Sequence, residues 1–245
     1  MAIVEQFRSC LPHLQIVDSS DRPWRSHACN VGAQAASGEV LVFCDADDQV
    51  GAGWLTAMNN ALRKSDFVAC RVDFKKLNQP DASEHFKDHP QHTGLQQTWY
   101  PPYVLFAGGG TLGVKRSLHE AAGGFDESLY RCQDIDYCYK LQRAGTELQF
   151  VHDAVLHIRC HSDLVKMFRQ SRLWAEHSVL MYKRYGGSEL HSYAWRRYAR
   201  EWGNIIKTVP NLVSDKARYE WFCRVAWQVG FLLGSVKYRV RPVSW

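Results

Sequence analysis

Two aspartates one residue apart, Asp45 and Asp47, follow directly on the unbroken apolar run Val40–Cys44. Carboxylates so spaced on a turn can converge on a divalent cation. Hard oxygen ligands suit Mg2+ or Mn2+, which complete their coordination with water and substrate phosphates. The apolar run reads as a buried, parallel strand, and open α/β sheets collect ligands at the carboxyl ends of their strands. The pair therefore suits chemistry on a metal-bound diphosphate. A turn rich in Asp because Asp favours turns accounts for the same residues without a metal.

Asp134 and Asp136 form a second acidic pair, at the start of a helical stretch. Two positions apart on a helix they do not face each other, so they are not an acid pair flanking one scissile bond. Asp134 is placed as the N-cap, where its carboxylate would also be exposed at a strand-end cleft. Asp136 is placed in the first turn, where it would favour the helix dipole. His157, Cys160 and His161 are ligand types close in sequence, but no CxxC pair or fourth ligand completes a zinc site. The eight cysteines are scattered and read as reduced thiols filling apolar space.

The elements that must position these groups alternate. Leu14–Val17 reads as a short strand and His27–Ala36 as a small-residue helix closed by Ser37-Gly38. Trp54–Leu62 is a helix with Trp54, Leu55, Met58 and Leu62 on one side, and Asp66–Phe74 is a strand. Residues 76–102 read as a long loop. Gly108-Gly109-Gly110 leads to a strand over Thr111–Val114 and a short helix over Arg116–Ala122. Asp134–Ala144 is a helix with Gly145 past its end, followed by strands at Leu148–Val151 and Ala154–Ile158. From Asp163 onward the pattern is helical. This rhythm predicts an α/β fold with a mostly parallel sheet over residues 1–160 and a helical region over 161–245.

Charge divides the 245 residues at the same place. Residues 1–160 carry 15 Lys/Arg against 19 Asp/Glu, net −4; residues 161–245 carry 15 against 6, net +9, with six of the nine tryptophans. A basic, Trp-rich region fits an anionic partner such as a phospholipid surface or a diphosphate-bearing acceptor, or equally a solvated basic face over a Trp core. No dense basic run or binding module points to nucleic acid. The longest candidate for a membrane span, Val225–Val236, is twelve uncharged residues that include Gln228, two glycines and Ser235, too short to cross a bilayer. The start, MAIVEQFRSC, lacks the pattern of a secretory leader. A cytoplasmic protein is expected, with the C-terminal region at the inner face of the membrane.

The stretch from Asn30-Val-Gly32 through Ser37-Gly38-Glu39 to Asp45-Ala46-Asp47-Asp48 resembles the family-2 glycosyltransferases of GT-A fold. The resemblance continues in order through Trp54-Leu55, Gly108–Arg116, Gly123-Gly124-Phe125-Asp126-Glu127, Gln133-Asp134-Ile135-Asp136 with Arg143 and Gly145, and Val155-Leu156-His157. It covers roughly residues 14–185. It implies a nucleotide-sugar donor, a saccharide or lipid-linked acceptor and metal-dependent, inverting transfer. Asn30, Gly32, Asp45, Asp47, Gly108 and Gly109 would bind donor. Asp45, Asp47 and His157 would hold Mg2+ or Mn2+, and Asp134 would be the general base. The processive Gln-x-x-Arg-Trp motif is absent; Gln170–Trp174 has another spacing.

Three features depart from the family pattern. The first strands, ending in Tyr-Asn and Asp-Asp-Gly-Ser, have no counterpart; Cys29 stands where the pattern has Arg, and Gln133 where it has Glu. The resemblance thus implies a GT-A sheet lacking its N-terminal nucleotide-binding strands, an open sheet edge and weak or absent activity for this chain. A non-catalytic relative acting as a binding or scaffold protein is the alternative. A phosphohydrolase of haloacid dehalogenase type also places Asp-x-Asp after an apolar strand, but Gln49 stands where that family has Thr or Val.

Overall fold

The computed structural model describes residues 2–160, 163–186, 194–209 and 212–241. The elements in chain order are α1 (Ala2–Glu5), α2 (Arg25–Ala35), β1 (Val40–Val42), β2 (Gln49–Val50), α3 (Trp54–Leu62), β3 (Phe67–Asp73), α4 (Pro80–Glu84), β4 (Gln96–Gln97), β5 (Leu105–Phe106), β6 (Leu112–Lys115), α5 (Arg116–Ala121), α6 (Gln133–Arg143), β7 (Leu148–His157), α7 (Leu164–Tyr185), α8 (Ala194–Lys207) and α9 (Asp215–Tyr238).

Five strands form one sheet in the order β1-β6-β3-β7-β2. Only β3 and β7 run parallel; β1–β6, β3–β6 and β2–β7 are antiparallel. The sheet is mixed, which corrects the expectation of a mostly parallel one and of a parallel β1. The chain after β3 makes an excursion over residues 74–111 and re-enters at the end it left, Ala69 facing Leu112. No crossover helix carries it back, so β6 must run against β3. β7 follows α5 and α6, runs opposite to β6 and lies on the other side of β3. The two short strands expected within it are one ten-residue strand whose register breaks between Cys70 and Arg71, the points at which Val151 and Val155 pair.

β1 is apolar on both faces because both faces are covered. Leu41 joins Ala33, Val114, Phe125, Tyr137 and Leu141 on the side of α2 and α6. Val40 and Val42 pack with Trp54, Met58, Leu62 and Leu156 on the side of α3. α3 occupies the expected residues, yet Leu55 is 64% exposed while Trp54, Met58 and Leu62 are buried. α2 ends where Arg116 takes the carbonyls of Ala33, Ala36 and Gly38, supplying donors that helix ends lack. Leu14–Val17 forms no strand. β1 pairs only with β6 among the described residues and leaves its other edge open.

The expected long loop contains α4, a 3-10 turn at Pro90–His92 and the β4–β5 ribbon. Its Gln91 is buried. The amide Nε2 donates to Cys70 O and Thr111 Oγ1, and Oε1 accepts from Gln96 Nε2 and Gly108 N–H.

The helical region packs through its own core, in which Val179, Tyr182, Tyr198 and Phe231 meet Tyr100, Leu129 and Cys132 of the α/β part. α7 and α9 run side by side in the same direction: Met167 meets Cys223, Ala175 meets Gly230, Val179 meets Gly234, and Lys183 Nζ reaches Tyr238 O. Trp202 and Trp227 pack against this core, and Trp221 donates to Ile205 O. Trp245 and His161 lie outside the described residues. No described helix is long and apolar enough to cross a membrane. All eight cysteines are free, and burial pushes the Cys132 thiol up to about 12.

Candidate active site

Beyond Val42 the chain stays tied to β6 for one more residue, Phe43 N–H donating to Leu112 O, and then turns, with Asp48 N–H on Asp45 O. The turn brings the Asp45 carboxylate over Gly110, where a Cβ would lie 2.9 Å from Oδ2. Arg25, the first residue of α2, donates from Nε to Asp45 Oδ1 at 2.7 Å. Its guanidinium lies over Gly109, where a Cβ would fall 2.9 Å from Cζ. Nη1 and Nη2 are shielded from solvent and have no hydrogen-bond partner.

Gly109 N–H donates to Asp134 Oδ2 at 3.3 Å, and Ile135 N–H to Asp134 Oδ1 at 2.9 Å. The helix α6 begins one residue before Asp134, with Cys132 at its N-cap position in the left-handed conformation. The N-cap role expected for Asp134 is therefore not the one it has. Its oxygens satisfy a neighbouring amide and the glycine turn, and this sets its carboxylate beside the Arg25–Asp45 pair. Burial pushes the Asp134 pKa up, against the pull of Arg25 and of the two backbone amides. Asp136, expected as a first-turn charge, is fully buried in ion pairs with Arg184 and Lys140.

The glycine turn is held from beneath. Gly108 N–H donates to Gln91 Oε1, and Thr111 Oγ1 donates to Gly108 O at 2.6 Å. Gln91 and Arg25 are the two site-building residues that the sequence reading missed. For Arg25 a signal existed: it precedes Cys29 by four residues, so it occupies the same helix face one turn earlier.

The other expected site residues are placed as follows. Asp47 is exposed; its backbone carbonyl accepts from Arg159 Nε, while Asp48 Oδ1 accepts from Arg159 N–H. Burial raises the Asp48 pKa, and burial together with the three acids of the loop pushes the Cys44 thiol up to about 11. His157 pairs with Gln49 across β2–β7, and its Nδ1 is 2.8 Å from Asp73 Oδ2. Asp45, Asp47 and His157 are not gathered into a three-ligand group; the described residues hold no such cluster of His, Cys, Asp or Glu. Asn30 is fully engaged elsewhere: its amide bonds Phe125 O and N–H and Glu127 Oε1, clamping the turn after Gly124. Gly32 lines a groove of about 980 Å³ that follows the open edge of β1. It is lined by residues of α2, β1, the loop after β1 and α3, among them Arg25, Cys29, Cys44 and Asp45.

This arrangement defines a GT-A-type α/β fold with the acidic loop and a helix-borne carboxylate at one strand-end cleft. The family model "Glycosyl transferase family 2" matches residues 2–122, and the chain belongs to that family. It is 26% identical over 161 residues to Glycosyltransferase AglE of Haloferax volcanii, a match over 65% of this chain and 51% of that protein. The chain thus spans about half the length of this curated relative. The mannosyltransferase PcManGT from Pyrobaculum calidifontis, solved with GDP-Man and Mn2+, superposes with a TM-score of 0.59 at 18% identity, over 96% of this chain and 73% of that one. GalNAc-T7, solved with UDP, GalNAc and Mn2+, gives 0.53 at 13%, over 98% and 49%.

Proposed function

We propose that this chain transfers a glycosyl group from a nucleoside-diphosphate sugar to a hydroxyl of a saccharide or lipid-linked acceptor, non-processively and with inversion. The observation that carries the reading is the placement of Asp134. Its carboxylate, raised in pKa by burial, is tied through Gly109 to the turn that also cradles Arg25 and Asp45. One end of the cleft thus holds a base, and the other holds groups suited to a diphosphate.

In the reaction the acceptor oxygen attacks the anomeric carbon from the face opposite the nucleotide. The bond from that carbon to the β-phosphate oxygen breaks, its electron pair leaving with the phosphate, and the acceptor proton passes to Asp134. The groove beside β1, about 980 Å³, matches the upper range of small-molecule sites and would take the nucleotide portion. Asp45 Oδ2 and the exposed Asp47 carboxylate are hard oxygen donors and fit Mg2+ or Mn2+, which would neutralise charge on the leaving diphosphate. Two protein carboxylates suffice where phosphates and water fill the remaining positions. His157, committed through Nδ1 to Asp73, is a ligand only through Nε2.

The exposed Arg196, Arg197 and Arg200 of α8 would bring the site to an acceptor at an anionic lipid surface. Calorimetry with GDP and UDP, with and without Mn2+, tests the donor reading. Metal-dependent binding that is lost in Asp47→Asn, together with sugar transfer, is expected. Binding without transfer would favour a non-catalytic relative, and no binding would refute the reading.

A further inference from the structure

The Arg25–Asp45 pair is built in a way that a structural salt bridge does not require. A guanidinium that stabilises a carboxylate commonly presents two parallel donors to it. Arg25 spends only Nε on Asp45, and its Nη1 and Nη2 are buried without a partner. Orphaned charged donors are costly, more so than neutral ones. Both members are nevertheless given a tailored bed. A side chain at Gly109 would collide with the guanidinium, and one at Gly110 with the carboxylate. Arg25 lines the groove beside β1, and its two unspent nitrogens lie against Gly109, whose N–H also holds Asp134.

We propose that Arg25 is an exchange cation: it occupies Asp45 in the free protein and releases it to grip the diphosphate of the donor. A diphosphate offers the pair of oxygens that a guanidinium fork matches. Asp45, once released, is free to ligate the divalent cation that the same diphosphate also binds. While Arg25 sits on Asp45 it both occupies Oδ1 and repels a second positive charge. A metal alone therefore binds weakly, in keeping with the lack of a three-ligand group among the described residues. Cation and nucleotide then bind as a coupled pair, each raising the affinity for the other by the same factor. The diphosphate half of this inference rests on the donor reading above; the cation half does not.

The test uses the whole chain and two probes. Mn2+ alone is titrated into wild type, Arg25→Gln and Arg25→Lys, followed by electron paramagnetic resonance of the free ion. GDP and UDP are titrated by calorimetry in EDTA and again in Mn2+. Arg25→Gln is expected to bind Mn2+ alone about tenfold more tightly than wild type, and the nucleotides about tenfold less tightly or worse. Arg25→Lys, which keeps the charge but loses the fork, is expected to leave Mn2+ binding low and to weaken nucleotide binding. A merely structural arginine would lower the melting temperature and move neither constant in the folded protein. Mn2+ affinity unchanged in Arg25→Gln overturns the exchange, and nucleotide affinity unchanged in both variants overturns the diphosphate grip. If wild type binds no nucleotide even with Mn2+ while Arg25→Gln still gains Mn2+ affinity, the donor reading fails and the cation half stands. Should Arg25→Gln not fold, the Arg25→Lys nucleotide titration decides alone: unchanged binding overturns the proposal.

Discussion

Arg184 Nη1 donates at once to Asp136 Oδ1 at 2.6 Å and to Asp126 Oδ2 at 2.9 Å. Tyr185 Oη donates to the same Asp136 oxygen. Asp136 is 0% exposed, and these partners offset the cost of taking its carboxylate out of water. The contact joins the last turn of α7 to the first turn of α6, two residues from Asp134. The orientation of the proposed base therefore depends on the helical region as well as on the sheet.

Replacing Arg184 with Gln should leave the buried Asp136 with the Tyr185 hydroxyl and, at 3.6 Å, Lys140 as its side-chain partners. A loss of about 3 kcal/mol is expected, at the low end for a broken buried pair because Arg184 itself is partly exposed. Urea melts give the measurement. Asp136→Asn combined with Arg184→Gln should cost less than the sum of the single changes, since the second removes a charge already stranded by the first.

Asp134→Asn should lower kcat by roughly 10²- to 10⁴-fold while leaving donor binding in place. Its pH behaviour has a definite sign. The folded pKa lies above the unfolded value of 3.8, so the folded state holds the proton more tightly. Stability falls as pH rises through that window, and the Asn variant should melt higher than wild type at neutral pH. Activity requires the ionised form, so the acid limb of kcat/KM should lie above the ordinary carboxylate range. In Arg25→Gln, which removes the charge favouring ionisation, the limb should move further up. A limb at or below the ordinary range would count against Asp134 as the base.

What could be read from the sequence was what local spacing encodes. Trp54, Met58 and Leu62 fall on one buried helix face because a period near four residues is a property of the helix itself. Gly145 sits past α6 with a φ of 91°, as a helix end prefers. The apolar run at Val40 correctly signalled burial on both faces, but burial says nothing of strand direction, and β1 proved antiparallel to β6. Leu14–Val17 has strand composition, yet none of the described strands pairs with it. Asn30 carries a family motif, yet its amide serves Phe125 and Glu127, nearly a hundred residues away. A separation of 48 residues hides the Asp136–Arg184 pair in the same way. Pairings of that separation leave no period for a linear reading to detect.

Gly230→Leu should separate the two long parallel helices. Even a Cβ at that position would lie 2.6 Å from the Ala175 Cβ and press on the Arg172 carbonyl, and Gly234 has a similar approach to Glu176 and Val179. Backbone on both sides of the contact cannot yield as a side-chain tip can. A destabilisation of about 1–3 kcal/mol or more is expected for Leu, and a smaller one for Ala. Thermal melts of the two variants should rank in that order. Equal stability of Gly230→Leu and wild type would show that α7 and α9 are not in contact as described.

His27 stands between two acids, Nε2 2.9 Å from Asp21 Oδ1 and Nδ1 3.0 Å from Glu127 Oε2. The Asp21 hydrogen bond, opposed by desolvation and joined by Glu127, raises its pKa above 6.5. For a histidine so raised, the stabilisation is present in full below the unfolded pKa and disappears as pH climbs through the folded one. Glu127, lowered first by Asn30 and then by His27, keeps its share until the pH falls well into the acid range. Wild type and His27→Gln should therefore differ most in melting temperature near pH 6, taken as about half a unit below the free histidine value, and converge in mildly alkaline buffer. The His27 ring resonances should titrate above 6.5. A His27 midpoint below 6.5 would mean that the bridge to Asp21 and Glu127 does not form in solution, and the Gly124–Glu127 turn would then be held without it, by Asn30, by Arg22 on Glu127 and by Lys140 on Gly124 O.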